Sequence, residues 1–123
     1  MLARNYKTNE ELGLVPGSVE TLSKVLTMLE TGKLIHTPRY KLIPFGFNMG
    51  PMWDERDCGT VGCIAGWAHK LGEFKLTRQA AQGQQMAISN LVAPRHKIRN
   101  EITTDEAAHA LRTYLVTGQP EWR

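Results

Sequence analysis

The sequence predicts a mainly α-helical fold, with about four helices in a compact single domain and one irregular or weakly β segment over residues 34–53. Apolar residues recur at helical spacing in stretches bounded by capping residues and glycines, which is the pattern of amphipathic helices. The segment 34–53 is interrupted by Pro38, Pro44 and Pro51. Because proline lacks an amide donor and clashes with the preceding turn, a long helix is excluded there.

The length and composition of the chain indicate one globular domain over residues 1–123. A chain of this size can bury a core without help from disulfides or a metal. The start, Met1 to Glu11, is polar, and we predict that residues 1–15 form a flexible arm or a short irregular lead. No run approaches the roughly 18 apolar residues of a membrane span, and the start has no apolar signal-peptide core. We therefore expect a cytoplasmic protein without membrane contact.

The clearest helix signals lie near the two ends of the chain. Ser18 is a candidate N-cap before a strong apolar stripe, and Gly32 supplies the stop. The sequence Thr103-Thr104-Asp105-Glu106 reads as a capping box and predicts the start of the last helix. Gly118, followed closely by Pro120, predicts its end.

Two further helices are predicted in the middle of the chain. Thr60 is a good N-cap for a central helix over about residues 61–71, which Gly72 would end. A third helix is predicted from about Thr77 to Leu91, with a thin apolar stripe. Pro94 would terminate this helix.

The densest motif is Asp-Cys-Gly-Thr-Val-Gly-Cys-Ile-Ala-Gly-Trp-Ala at residues 57–68, which contains both cysteines of the chain. Glycine costs about 1 kcal/mol inside a helix, so two of them in the predicted helix need a packing or binding reason. We interpret the motif as a packing element in which buried thiols and glycines let another element approach and a tryptophan fills the adjacent space. The motif and structural residues are Trp53, Cys58, Gly59, Thr60, Cys63, Gly66 and Trp67.

Three functional interpretations of the same motif stay open. Cys58 before a helix N-terminus would have a lowered thiol pKa and could act as a nucleophile, with His69 as its base. An Asp-Cys-small sequence at a helix start is similar to the nucleophile turn of papain-like and cell-wall-peptidase cysteine hydrolases. A metal could use Cys58, Cys63 and His69, but zinc normally takes four ligands, so we predict no metal and no cofactor. The amides of residues 59–61 could bind an anion, although Asp57 would repel it.

Charge is unevenly distributed along the chain. The formal net charge is +3, but residues 70–99 contain six basic residues and one acidic residue, a local +5. The sharpest basic run, residues 94–99, predicts contact with an acidic protein surface or with nucleic-acid phosphates. Its alternative interpretation is a solvated loop. The predicted binding residues are Arg95, His96, Lys97 and Arg99.

The run Phe47-Asn48-Met49, then Trp53, then residues 58–68 resembles a group of small uncharacterised phage and bacterial proteins. Their pattern is Cys-Gly-Thr-x-x-Cys-Ile-Ala-Gly, and they often end in a Thr-x-x-x-Ala-Ala helix, Thr-Gly and a tryptophan. The matching tail here is Thr104 to Ala108, Thr117-Gly118 and Trp122. The resemblance covers about residues 45–122 and implies a phage or prophage setting.

These observations predict a small phage- or mobile-element-associated accessory protein that acts by binding a host macromolecule, with anti-defence activity as one concrete version. A host protein is the expected partner, and nucleic acid is an alternative partner through the basic segment 94–99. Without a complete catalytic constellation, we lean away from an enzyme. The rival prediction is a cysteine-dependent hydrolase or transferase that uses Cys58 at a helix N-terminus.

Overall fold

The computed structural model describes residues 6–37, 43–50, 53–56, 59–94, 98 and 101–122. These parts of the chain form, in order, α1 (Asn9–Leu12), α2 (Ser18–Glu30), β1 (Ile35–His36), β2 (Gly46–Phe47), β3 (Trp53–Arg56), β4 (Gly59–Gly62), α3 (Ile64–Leu71), α4 (Gln82–Val92) and α5 (Thr104–Thr117). Helices dominate and the strands are short. The predicted fold class, mainly α with a weak β segment, is confirmed.

The centre of the fold is the contact between α2 and α5, and α2 also packs on α3. Each of the two long helices buries the stripe that its spacing predicts, because residues three and four apart lie on one face. The buried stripe residues are Val19, Leu22, Val25, Leu26 and Leu29 on α2, and Ala107, Ala110, Leu111, Tyr114 and Leu115 on α5. The hydroxyl of Tyr114 is buried without a hydrogen-bond partner among the described residues, and burial raises the pKa of this phenol.

The ends of α5 are stabilised as predicted. Thr103 Oγ1 accepts a hydrogen bond from the Glu106 amide at 3.2 Å, and Glu106 Oε1 accepts one from the Thr103 amide at 2.9 Å. This reciprocal pair satisfies amides that have no partner inside the helix. At the other end, Gly118 adopts the left-handed conformation with φ of 86°, which glycine tolerates without a steric penalty.

The start of α2 differs from the prediction. Ser18 is the first residue of the helix and not its N-cap, which is Gly17 with φ of 92°. The cap comes from elsewhere in the chain, because Asn9 Oδ1 accepts a hydrogen bond from the Val19 amide at 2.7 Å. The Ser18 hydroxyl instead accepts from the Lys75 amide at 3.4 Å.

The prediction of a flexible arm over residues 1–15 is wrong for residues 6–15, and residues 1–5 lie outside the described part of the chain. Helix α1 is closed by its own capping box, in which Thr8 and Glu11 bond each other's amides. Leu12 and Leu14 belong to the core. The Lys7 amide donates to the Leu115 carbonyl at 2.7 Å, which ties the segment to α5.

The third predicted helix, α4, begins later in the structure than the predicted start at about Thr77. The Val15 amide bonds the Lys75 carbonyl at 2.9 Å, and the Thr77 amide bonds the Gly13 carbonyl at 2.8 Å. Residues 75–77 are therefore extended and paired with residues 13–15, so α4 begins only at Gln82. The N-cap residue, Ala81, has no side chain that could cap the helix. Gln84 Oε1 instead accepts a hydrogen bond from the Ala81 amide at 2.7 Å.

The four short strands form one mixed sheet in the order β1-β2-β4-β3. Strand β2 pairs in parallel with β1 and with β4, while β3 and β4 are antiparallel neighbours. Strands β1 and β2 both lie within the segment 34–53 that the sequence predicts to be irregular or weakly β. Residues 38–42 and 51–52 of that segment lie outside the described residues.

The sheet continues past residue 53 and includes residues predicted to be helical. Gly59–Gly62 is strand β4, with Thr60 opposite Glu55 and Val61 opposite Asp54. The prediction that Thr60 caps a helix starting near residue 61 is therefore wrong. Threonine and valine are β-branched and fit a strand with neighbours on both sides. The central helix, α3, begins at Ile64 and ends before Gly72, as predicted at that end.

Replacing Thr103 by alanine should lower the free energy of unfolding by about 1 kcal/mol, because the Glu106 amide loses its acceptor. Chemical denaturation monitored by circular dichroism measures the change. Thr104→Ala is the matched control, since Thr104 is the next residue and lies inside the helix. Equal stability losses in the two variants would contradict the capping role.

Candidate functional site

The motif at residues 57–68 is built around the junction between β4 and α3. Cys63 is the N-cap of α3, and its Sγ accepts a hydrogen bond from the Gly66 amide at 3.4 Å. The side chain of Cys63 is only 4% exposed. A thiol is a weak acceptor, yet here it replaces the serine or threonine that usually occupies this position. Cys63 therefore has a structural role that the spacing of the motif did not reveal.

Trp67 fixes α3 to the sheet. Its indole Nε1–H donates to the Gly46 carbonyl oxygen at 2.9 Å, and its ring is 3% exposed. A buried indole needs such a partner, because an unpaired donor costs about 1–3 kcal/mol. The contact joins α3 to strand β2, which lies 21 residues earlier in the sequence. The packing interpretation of Trp67 agrees with this geometry.

Asn48 makes a second buried connection beside the same sheet. Its backbone amide donates to the Gly62 carbonyl at 3.1 Å, and its Nδ2 donates to the Thr37 carbonyl at 2.8 Å. Its Oδ1 accepts from the Gly50 amide at 2.7 Å. The neighbouring Phe47 and Met49 side chains are buried in the core. The Phe-Asn-Met run thus holds the strand ends together.

Phe45 is the outer neighbour of Trp67. The two rings are stacked, with centroids 5.8 Å apart and planes 20° from parallel. The ammonium of Lys33 lies 4.6 Å from the centroid of the Phe45 ring, within the range of a cation–π contact. Phe45 nevertheless stays 39% exposed. The buried tryptophan therefore supports a half-exposed aromatic side chain at the surface.

A groove lies next to this aromatic pair and shares Lys33 with it. Its volume is about 410 Å³, and its lining contains two half-buried apolar side chains, Met28 and Leu71, which pack against the core. The remaining lining residues are Ser23, Lys24, Thr27 and Lys33. We call this groove together with Phe45 the Lys33 surface. Its lining includes two basic side chains and no acidic one among the described residues.

The structure brings only some of the predicted site residues together. Cys63, Gly66 and Trp67 meet at the start of α3, while Gly59 and Thr60 belong to β4 and Trp53 begins β3. His69 is exposed in the last turn of α3, where its ring lies 5.7 Å from that of Phe74. The remaining predicted residues lie outside the described part of the chain: Cys58, Arg95, His96, Lys97 and Arg99.

The structural premise of the cysteine-nucleophile interpretation is wrong. Residues 59–62 form a strand, so the amides that follow Cys58 belong to a ladder and not to a helix N-terminus. The premise of the anion site at residues 59–61 is wrong for the same reason, because strand amides do not converge on one point. Within the described residues, no three of the histidine, cysteine, aspartate and glutamate side chains lie together as a metal site would require.

A cavity of about 620 Å³ lies between α1 and the segment before α4. Two of its polar side chains, Asn9 and Gln84, are engaged in the fold. Asn9 caps α2, and Gln84 donates to the Glu11 carbonyl at 2.9 Å while accepting from Ala81. A further depression lies on α5. Two of its lining side chains have partners, because Arg112 pairs with Glu30 and His109 Nε2 lies 3.0 Å from Glu121 Oε1.

Sequence reasoning missed the Lys33 surface. Its residues come from α2, the loop after it, the residue before β2 and the end of α3, which are separate in the sequence. One signal was present, because Phe45 sits between Pro44 and Gly46 in a segment that cannot be helical. The pairing of Lys33 with this ring depends on the tertiary structure alone.

No protein-family model, curated protein or solved structure significantly matches this chain. None of the helices that the structure describes has the length and apolar character needed to cross a bilayer.

The Cys63 thiol should be inert in the folded protein, because it is buried and engaged at the start of α3. In a Cys58→Ser variant, which reports Cys63 alone, Ellman's reagent at neutral pH should react far more slowly than in guanidinium chloride. A rate that is the same under both conditions would contradict this burial.

Trp67→Phe should destabilise the protein by about 2 kcal/mol or more, since it removes the donor to Gly46 and leaves a cavity. Trp122→Phe is the matched control. Its indole also donates to a backbone carbonyl, that of Asn90, at 2.7 Å, but this site is only half-buried and water can replace the donor. Thermal unfolding of both variants tests the difference, and an equal or larger loss in Trp122→Phe would refute it.

Proposed function

We propose that this chain is a small phage- or mobile-element-associated accessory protein that acts in the host cytoplasm by binding a host protein. The observation that carries the proposal is Phe45, a large aromatic side chain that is 39% exposed and yet stacked on a buried, hydrogen-bonded Trp67. The genomic setting, and an anti-defence role as its concrete version, rest on the resemblance of residues 45–122 to phage and bacterial proteins.

The Phe45 side chain is preorganised for binding a partner. An exposed aromatic side chain normally loses rotamer freedom when a partner covers it, which weakens binding by about 0.5–1.5 kcal/mol. Phe45 has already lost part of that freedom to Trp67 and Lys33. Aromatic side chains held in this way are typical centres of protein interfaces. The specific motif then serves function indirectly, because it buries the tryptophan that supports the contact residue.

The basic segment 94–99 is proposed as an additional contact, with an acidic protein surface or with nucleic-acid phosphates. The cysteine-dependent enzyme has no comparable support, since residues 59–62 form a strand. Fast alkylation of Cys58 near neutral pH in a Cys63→Ser variant would favour that enzyme instead.

Affinity capture from a bacterial host, followed by mass spectrometry and by titration of the captured protein, tests the proposal. Phe45→Ala should weaken binding by about tenfold or more, the usual effect of truncating a central interface aromatic. Phe45→Tyr, which keeps the ring, should retain binding. Met86→Ala is the matched control, because Met86 is a large apolar side chain on α4 that is 58% exposed.

The melting temperatures of all three variants establish that they are folded. A host protein whose affinity is the same for the parent chain and Phe45→Ala would exclude this site. Failure to enrich any host protein above an unrelated control of similar charge would contradict the proposed function itself.

A further inference from the structure

We propose that the Lys33 surface binds an acidic amphipathic segment of the partner protein, with an apolar side chain in the groove and carboxylates beside Lys24 and Lys33. This inference rests on the proposed function and deepens it, because it specifies the chemistry of the partner.

The groove has apolar side chains in its lining. Met28 and Leu71 both pack on the core from outside and line the same depression of about 410 Å³. This volume is in the range of sites that bury a compact apolar group. Methionine is unbranched and adapts its shape to different occupants. Side chains such as leucine or phenylalanine on one face of a short helix or turn would therefore fit here.

Two positively charged side chains, Lys24 and Lys33, lie at the groove. Neither Lys24 nor Lys33 forms an ion pair with a side chain in the parts of the chain that the structure describes. The Glu20 carboxylate, one turn before Lys24, is instead within 3.5 Å of the Asn9 side-chain nitrogen. Two like charges beside one groove favour an oppositely charged occupant and disfavour a basic one. The partner segment should consequently carry aspartate or glutamate next to its apolar residues.

The aromatic ring favours a protein partner over a nucleic acid. Single-stranded nucleic acids bind aromatic side chains by stacking a base on an open ring face. The Phe45 ring already stacks on Trp67, and the Lys33 ammonium lies over it. Less of the Phe45 ring face is therefore available for stacking by a nucleic-acid base than in a phenylalanine with no aromatic or cationic neighbour. Contact with an aliphatic side chain needs no open face, and the groove extends the apolar area next to the ring.

The test is a selection of binders from a library of random linear peptides displayed on yeast, with the full chain as bait. Selected peptides should be enriched in aspartate and glutamate next to leucine, phenylalanine or tryptophan. A synthetic, fluorescently labelled copy of the best peptide is then titrated by fluorescence polarisation. Lys24→Glu with Lys33→Glu should weaken its binding by about tenfold or more at low salt, because both rim charges are reversed.

The matched control is Lys75→Glu with Arg78→Glu, which changes the net charge equally at two other exposed positions. This control should bind the peptide almost as tightly as the parent chain. A peptide in which lysines replace the acidic residues should prefer the Lys24→Glu, Lys33→Glu variant. The affinity of the original peptide should fall with salt in the parent chain and much less in that variant.

Several outcomes overturn the inference. The first is that the selected peptides contain no acidic residues. The second is that the two double variants weaken peptide binding equally. The third is that no peptide binds, while mixed-sequence single-stranded DNA binds tightly and depends on Lys24 and Lys33. Host-protein capture that is lost in Phe45→Ala but intact in Lys24→Glu with Lys33→Glu would overturn this inference and leave the proposed function standing. Capture that is independent of Phe45 would instead remove the proposed function.

Discussion

The hydrogen bond from the Trp67 indole to the Gly46 carbonyl oxygen is the interaction on which the middle of this protein depends. It joins α3 to β2 and fixes the largest ring of the motif in the core. Strand β2 consists of only two residues, so its own ladder bonds could not hold it in register. The Trp67 indole on α3 supplies an additional hydrogen bond to β2, which attaches the small sheet to the core.

The composition of the motif follows from this constraint. The chain must leave strand β4 and enter α3 within one residue, Cys63, which both caps the helix and fills a buried position. All residues from Ile64 to Ala68 are buried, so the first turns of α3 tolerate only small or closely fitted side chains. A buried helix of this kind explains a run of alanine and glycine around one tryptophan, and it requires no reaction at the cysteines.

The proposed contact surface lies next to the motif, on its solvent side. Trp67 is buried, and Phe45, stacked on it, reaches the surface where Lys33 and the groove of Met28 and Leu71 adjoin it. Rigid support beneath a half-exposed aromatic side chain reduces the entropy lost on binding. The two lysines at the groove, Lys24 and Lys33, add a preference for the charge of the occupant. The motif at residues 57–68 and the proposed contact surface are therefore connected by the stacked rings of Trp67 and Phe45.

Local signals were sufficient for the long helices. The stripes of α2 and α5 and the Thr103–Glu106 capping box depend on residues three or four apart, and such residues interact in any fold that contains the helix. The fold class and the packing role of Trp67 followed from the same kind of reasoning. The weak β segment was predicted because prolines exclude a helix, although its extent was not.

The sequence by itself determined that α2 and α5 are helical and which face of each is apolar, since these properties arise from spacing within one element. Tertiary structure decided the rest. Thr60 and Val61 became strand because β2 and β3 supply ladder partners on both sides, and residues 75–77 became extended because residues 13–15 pair with them. Likewise Asn9, not Ser18, caps α2, and Lys33 meets Phe45 only after the sheet has formed. Each of these contacts joins two different elements, and the spacing of residues within one element carries no information about which other element lies beside it.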